Sequence, residues 1–278
     1  ISEAVHDTLS RRYGIDLKHT TEIVIENSLL ATGYANPATD RIAISVTDWG
    51  FTLRSQHDWL RNVVTHEYSH ILSLARGAKV PGWLFGFILS YSDQPGEMIQ
   101  KNGALVAPFR SIPVWFSEGT AQYETERLGF DCWDAHRDMI LRRAVLDSAL
   151  FSLSEMGQFA ELREIDLERA PYTQGFALVR YIAERWGDEA IVQIWRKSAE
   201  WSWGGFASAV KSTTGYTPEE LYDEWKKSIT AHYQRQREAI GTPHEGKALT
   251  QESWQQDRPQ FDQKGRLYFL SNLGSTTW

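Results

Sequence analysis

The chain has 278 residues, 42% hydrophobic and 13% aromatic, enough to bury a core in one large domain or two smaller ones. A net charge of -7 with no basic cluster leaves no electrostatic footprint for nucleic acid, so such partners are not expected. The single cysteine, Cys132, excludes an intrachain disulfide and a cysteine-built metal site.

In chain order, residues 2–13 are predicted as a helix, and Glu22–Glu26 and Arg41–Val46 as strands from their β-branched alternation. The GYANPATD stretch between those strands has the composition of a turn. From Asp58 to Ala75, apolar Leu60, Val63, Val64, Ile71 and Leu74 fall at helical spacing, which predicts a helix with one buried face. The longest apolar run, Gly82–Tyr91, is too short to span a membrane and is expected to be a buried strand or hairpin. No transmembrane segment is expected.

After Pro113 the pattern turns helical, with helices predicted at 114–128, 133–146, 171–186, 188–199, 204–213 and 217–239. The last begins with a capping box, Thr217 and Glu220 around Pro218. Beyond about Ala239 a GTPHEGK linker leads to strand-like Arg266–Ser271. The expected fold class is α+β: residues 1–112 carry a small mixed sheet and the helix at 58–75, 113–240 a helical subdomain, and 241–278 a linker and short β segment. The start, ISEAVHDTLS, has no initiator Met and no signal pattern, as processing or trimming would leave it. An exported protein, periplasmic or extracellular, is the expectation.

His66-Glu67-Tyr68-Ser69-His70 is an H-E-x-x-H sequence inside the helix predicted at 58–75. Histidines four apart on a helix lie one above the other, so both imidazoles can reach one metal ion. Glu67, one step around, is placed to take a proton from a metal-activated water without ligating the metal. Two solvated surface histidines are the plain alternative, but the motif interrupts an apolar stripe, where unpartnered polar groups are costly.

A catalytic zinc ion needs a third protein ligand. A metzincin would have Gly and His where this chain has Ser73 and Arg76. Asp93 and Glu97 lie in a Pro-Gly turn that supports them poorly, whereas Glu118 sits in a proline-bounded helix start and is better placed.

The run P-V-W-F-S-E118-G-T-A-Q-Y resembles the gluzincin motif in which a glutamate followed by Gly-x-Ala supplies the third zinc ligand. The resemblance implies a thermolysin-like catalytic domain binding one Zn2+ ion through His66, His70 and Glu118, with Glu67 as catalytic base. Gln122, one turn on, would then orient a zinc histidine. Ala170-Pro-Tyr172-Thr-Gln-Gly175-Phe-Ala-Leu resembles a segment of the aminopeptidase and leukotriene hydrolase branch whose tyrosine hydrogen-bonds the oxyanion, a role that falls here on Tyr172. Gly215–Trp225 is similar to the closing helix of bacterial peptidase domains of this kind.

Two features depart from the pattern. The interval between His70 and Glu118 is long, so residues 76–112 are expected as an insertion near the cleft. The G-x-M-E-N segment that holds a free substrate amine is absent, and Gly33–Asn36, its counterpart by position, has no carboxylate. The expected activity is therefore zinc-dependent hydrolysis of a peptide or protein substrate, endo- or aminopeptidase undecided. A catalytically weak peptide-binding module and a zinc hydrolase of a non-peptide substrate stand as alternatives. Pro259–Ser271 resembles the start of a Tol-type β-propeller blade, which implies a longer parent chain; a terminal hairpin is the alternative.

Overall fold

The computed structural model describes residues 1–17, 20–27, 32–37, 39–46, 58–77, 87–91, 101–105, 112–159, 162–163, 166–200, 205–242, 246–247, 249 and 256–271. It is mostly helical with small sheets, an α+β arrangement, and divides into Ile1–Arg235 and Gln236–Trp278.

In the first unit, helix α1 (Ser2–Tyr13) buries Val5, Leu9 and Tyr13, one residue per turn, and ends on Gly14 in the left-handed conformation at φ 61°. Strands β1 (Glu22–Glu26), β2 (Gly33–Asn36) and β3 (Arg41–Ser45) form a mixed sheet in the order β1-β3-β2. Central β3 runs parallel to β1 and antiparallel to β2, with Gly33 opposite Ile44 and Asn36 opposite Arg41. Half of the stretch expected to be a turn is therefore a strand. Gly-Tyr-Ala-Asn has no β-branched residue, and pairing to β3 overrides that weak local preference. The turn itself is confined to the residues before Arg41, where Asp40 takes φ 49°.

Helix α2 (Trp59–Arg76) begins at Asp58, whose Oδ1 accepts from Arg61 N at 3.2 Å, and is held to the sheet by Trp59 Nε1 donating to Ser45 O at 2.8 Å. It packs on α1, β2, β3 and α3 (Val114–Arg127), and everything from Asn62 to Ser73 is buried. The apolar run expected as a strand or hairpin places its last five residues in β4 (Phe87–Tyr91), antiparallel to β5 (Lys101–Leu105). Its first five, like Asp93 and Glu97, lie outside the described residues.

Helix α4 (Ala135–Leu146) is capped by Asp134. The helix predicted at 171–186 begins earlier and winds differently: Glu168–Gly175 is π-helical and runs into α5 (Phe176–Trp186). Pro171, inside that stretch, has no N–H to give, and the wider winding carries it without ending the helix. Helices α6 (Glu189–Ser198), α7 (Gly205–Thr214) and α8 (Pro218–Ile240) follow. The capping box forms as expected: Thr217 N donates to Glu220 Oε2 at 2.7 Å and Glu220 N to Thr217 Oγ1 at 3.2 Å. Trp115, Phe116, Trp195 and Phe206 pack ring on ring at the centre of this helical half. Among the described residues no helix is long and apolar enough to cross a membrane.

One buried ion-pair network joins α1 to α3. Glu124, fully buried, accepts from Arg12 Nε at 2.6 Å, Arg127 Nε at 2.8 Å and Tyr13 OH at 3.3 Å. Removing its carboxylate leaves Arg12 buried without its main counter-charge, so Glu124→Ala is expected to destabilise the fold by about 3–5 kcal/mol. Urea denaturation reads this directly; a loss under about 1 kcal/mol would show the network to be dispensable.

In the second unit, β6 (Gln256–Phe261) pairs antiparallel with β7 (Leu267–Ser271). Asp262 Oδ1 accepts from Lys264 N and Arg266 N, both at 2.9 Å, to fix the turn. Phe261, Tyr268 and Leu270 are exposed.

Candidate metal centre and active site

The apolar stripe of α2 carries His66, Glu67 and His70 into the interior, and α3 presents Glu118 across from them. All four are buried. His66 Nε2 and His70 Nε2 are 3.1 Å apart, and Glu118 Oε2 lies 3.2 Å from the first and 3.3 Å from the second. Tetrahedral zinc with bonds of about 2.05 Å separates its ligand atoms by about 3.3 Å. The three donors thus stand at the spacing of one face of such a tetrahedron, which leaves the fourth corner for water. Among the described residues they form the one group of this kind.

Without metal, the trio holds a proton. Burial pushes His70 down, but the charge and hydrogen bond of Glu118, with Glu67 behind it, outweigh burial and bring the imidazole up to about 9. Burial pushes Glu118 up, yet His70 and His66 hold it well below the usual carboxylate range. Glu67 goes the other way: burial raises it against the pull of His66 and His70, and Glu118 adds to the rise. A carboxylate raised in this way is a stronger base than a solvated one.

Glu67 also abuts the sheet. A Cβ on Gly33 would lie 2.7 Å from Glu67 Oε1 and 2.5 Å from Val63 Cγ2, so the β2 backbone passes directly beside the carboxylate. Tyr172 approaches from the π-helical stretch, its ring 6.2 Å from that of His66. Burial, the charges of Glu118 and Glu67 and a hydrogen bond with Glu118 push its phenol well above the ordinary tyrosine range. It therefore keeps its proton, and can donate it in a hydrogen bond, through neutral and mildly alkaline pH.

Gln122 does not orient a histidine. Its Oε1 accepts from Arg137 Nη2 at 2.8 Å, and Arg137 also donates to Asp131 Oδ2 and Cys132 O, both at 2.8 Å, so Gln122 belongs to the α3–α4 junction. A residue that sequence reasoning missed stands in that place: Ser117 Oγ lies 3.2 Å from His70 Nδ1. With Nε2 given to a metal ion, Nδ1 would carry the proton and donate to Ser117 Oγ. Adjacency to Glu118 on one helix was the available signal. Ser117→Ala is expected to weaken zinc binding about 10-fold with the fold intact, measured by competition with a chelating dye.

Residues 97–231 match the Peptidase MA superfamily. The matched stretch contains Glu118 and Tyr172 and begins after α2, so the H-E-x-x-H helix stands outside it. It supports a gluzincin-type, peptidase-like domain, and the buried His66, His70 and Glu118 form a group that could hold a metal ion. No curated protein and no solved structure matches the chain.

Proposed function

We propose that this chain is a zinc-dependent metallopeptidase that cleaves peptide bonds with a water nucleophile. The observation that carries the reading is the donor triangle of His66, His70 and Glu118, with a buried carboxylate beside it that is not one of the three donors. Zinc held there supplies a Lewis acid that polarises the scissile carbonyl and lowers the pKa of water toward about 7.

The remaining steps fall to the chain's own groups. Glu67 takes the proton from the attacking water and delivers it to the leaving amine, for which its raised pKa suits it. Tyr172, protonated and facing Glu118, donates to the oxyanion of the tetrahedral intermediate. Support for a peptide over other carbonyl substrates comes from β2. It is the outer strand of the order β1-β3-β2 and passes against Glu67, so an extended peptide added to it runs its backbone past the base. Gly33–Asn36 offers no carboxylate to grip a free amine, so the reading stops short of aminopeptidase specificity. For the C-terminal unit we retain the propeller-blade reading, supported by the exposed Phe261, Tyr268 and Leu270, which a neighbouring blade would cover.

The test is metal analysis together with digestion of an unbiased peptide library by the zinc-loaded chain. One equivalent of zinc and chelator-sensitive internal cleavage are expected. Peptide binding without cleavage at full zinc occupancy would move the assignment to a binding module, and turnover of esters or epoxides alone to a non-peptide hydrolase.

A further inference from the structure

Two glycines mark the place where α3 meets the π-helical stretch. A Cβ on Gly119 would lie 2.5 Å from the carbonyl oxygen of Gly175, 2.7 Å from its carbonyl carbon and 2.8 Å from Val179 Cγ2. One on Gly175 would lie 2.7 Å from the carbonyl oxygen of Trp115 and 3.1 Å from Trp115 Cα. The two segments thus touch backbone to backbone, and the closest obstructing atoms are main chain rather than flexible tips that can swing aside.

Conformation does not explain these glycines. Gly175 has φ -63° and ψ -43°, ordinary helical values, and Gly119 lies inside α3 without a positive φ. Alanine forms helix better at both positions. What the glycines supply is space, and each stands close in the chain to a side chain of the site. Glu118 immediately precedes Gly119, and Tyr172 precedes Gly175 by three residues within the π-helical winding. The chain path from the phenol to the carboxylate it faces therefore runs through this contact.

We propose that Gly119 and Gly175 are positioning residues that set the reach of Tyr172 to the metal group, an inference that rests on the reading of Tyr172 as oxyanion donor. A methyl at Gly119 has to widen its closest contact from 2.5 Å to at least the 3.4 Å of ordinary packing. That moves the tyrosine-bearing segment away from Glu118 by up to about 1 Å, a displacement that costs about 10²-fold when it falls on a group acting in the transition state. His66 and His70 are on α2 and Glu118 on α3, so none of the metal donors belongs to the π-helical segment.

The experiment compares the zinc-loaded full chain with G175A, Y172F and the double variant on a peptide taken from the library digestion, alongside crystal structures of wild type and G175A. G175A is expected to keep one zinc and a KM within about twofold of wild type while kcat falls about 10–100-fold, and Y172F to fall by a similar factor. The double variant should fall no further than Y172F, because Gly175 acts through Tyr172. In the crystal, the Tyr172–Glu118 separation should grow by about 0.5–1 Å. A wild-type kcat for G175A, losses that multiply in the double variant, or an unmoved Tyr172 would each overturn the proposal. If G175A does not fold, G119A is taken through the same measurements; failure of both to fold would show that the seam holds the fold and not Tyr172, and overturns the proposal as well. Should the wild type cleave no peptide while Tyr172 still shifts in G175A, the peptidase reading falls and the positioning role stands.

Discussion

Glu67→Gln is expected to retain one equivalent of zinc and to lose about 10²–10⁴-fold in kcat, the range a positioned general base supplies. The amide keeps the volume and the hydrogen-bonding reach of the carboxylate but accepts no proton. Zinc content should not change, since the three donors are His66, His70 and Glu118. Stability sharpens the test. Because burial raises the folded-state pKa of Glu67 above its unfolded value, its ionised form costs the fold free energy at neutral pH, and glutamine does not. The variant should therefore melt no lower than wild type without metal, and lost turnover cannot then be blamed on unfolding. Near-normal kcat in a zinc-loaded Glu67→Gln protein would sink the mechanism.

The same four residues show what a sequence can carry. His66, Glu67 and His70 were legible because a helix brings residues four apart onto one face, and because Val63, Val64 and Ile71 showed that face to be buried. Periodicity alone could not have chosen Glu118 from the other acidic residues, since its place beside the histidines is set by the packing of α3 on α2. There the likeness to a known motif did the selecting. Strand β2 was missed for a related reason. Its four residues have little strand preference of their own, and only the ladder to β3 and the close approach of Gly33 to Glu67 make them a strand. Gly119 and Gly175 read in a sequence as weak points in helices. Their purpose, a backbone contact between segments more than fifty positions apart, exists only in three dimensions. Ser117, Gln122 and the Arg12–Glu124 pair follow the same rule, because a polar side chain's partner depends on which helices are neighbours.

Glu118→Ala is expected to weaken zinc binding by about 10²–10³-fold, about one third of the roughly 10 kcal/mol at the low end for structural zinc sites, and to abolish turnover at ordinary metal concentrations. Its proton balance gives a second, independent signature. In the wild type without metal, Glu118 is the main influence that raises His70, to about 9, so at pH 7 the imidazole is protonated. Zinc requires it neutral, and binding must release that proton. Apparent affinity should rise about tenfold per pH unit toward pH 9 and flatten above it, with about one proton released per zinc at pH 7 from His70, measured by calorimetry in buffers of different ionisation enthalpy. The sign also fixes the behaviour of the metal-free fold. Stability contributed by raising His70 is fully present below its unfolded value of about 6.5 and is lost as pH rises through about 9. Removing Glu118 takes away the largest of the influences that raise His70, so His70 falls and carries less of its proton at pH 7 before metal arrives. The variant should thus bind zinc more weakly and release fewer protons in doing so. A variant that loses affinity but still releases the full proton would show that another acid, Glu67 nearest, holds His70 up, and one that keeps wild-type zinc affinity would cost Glu118 its place as the third donor.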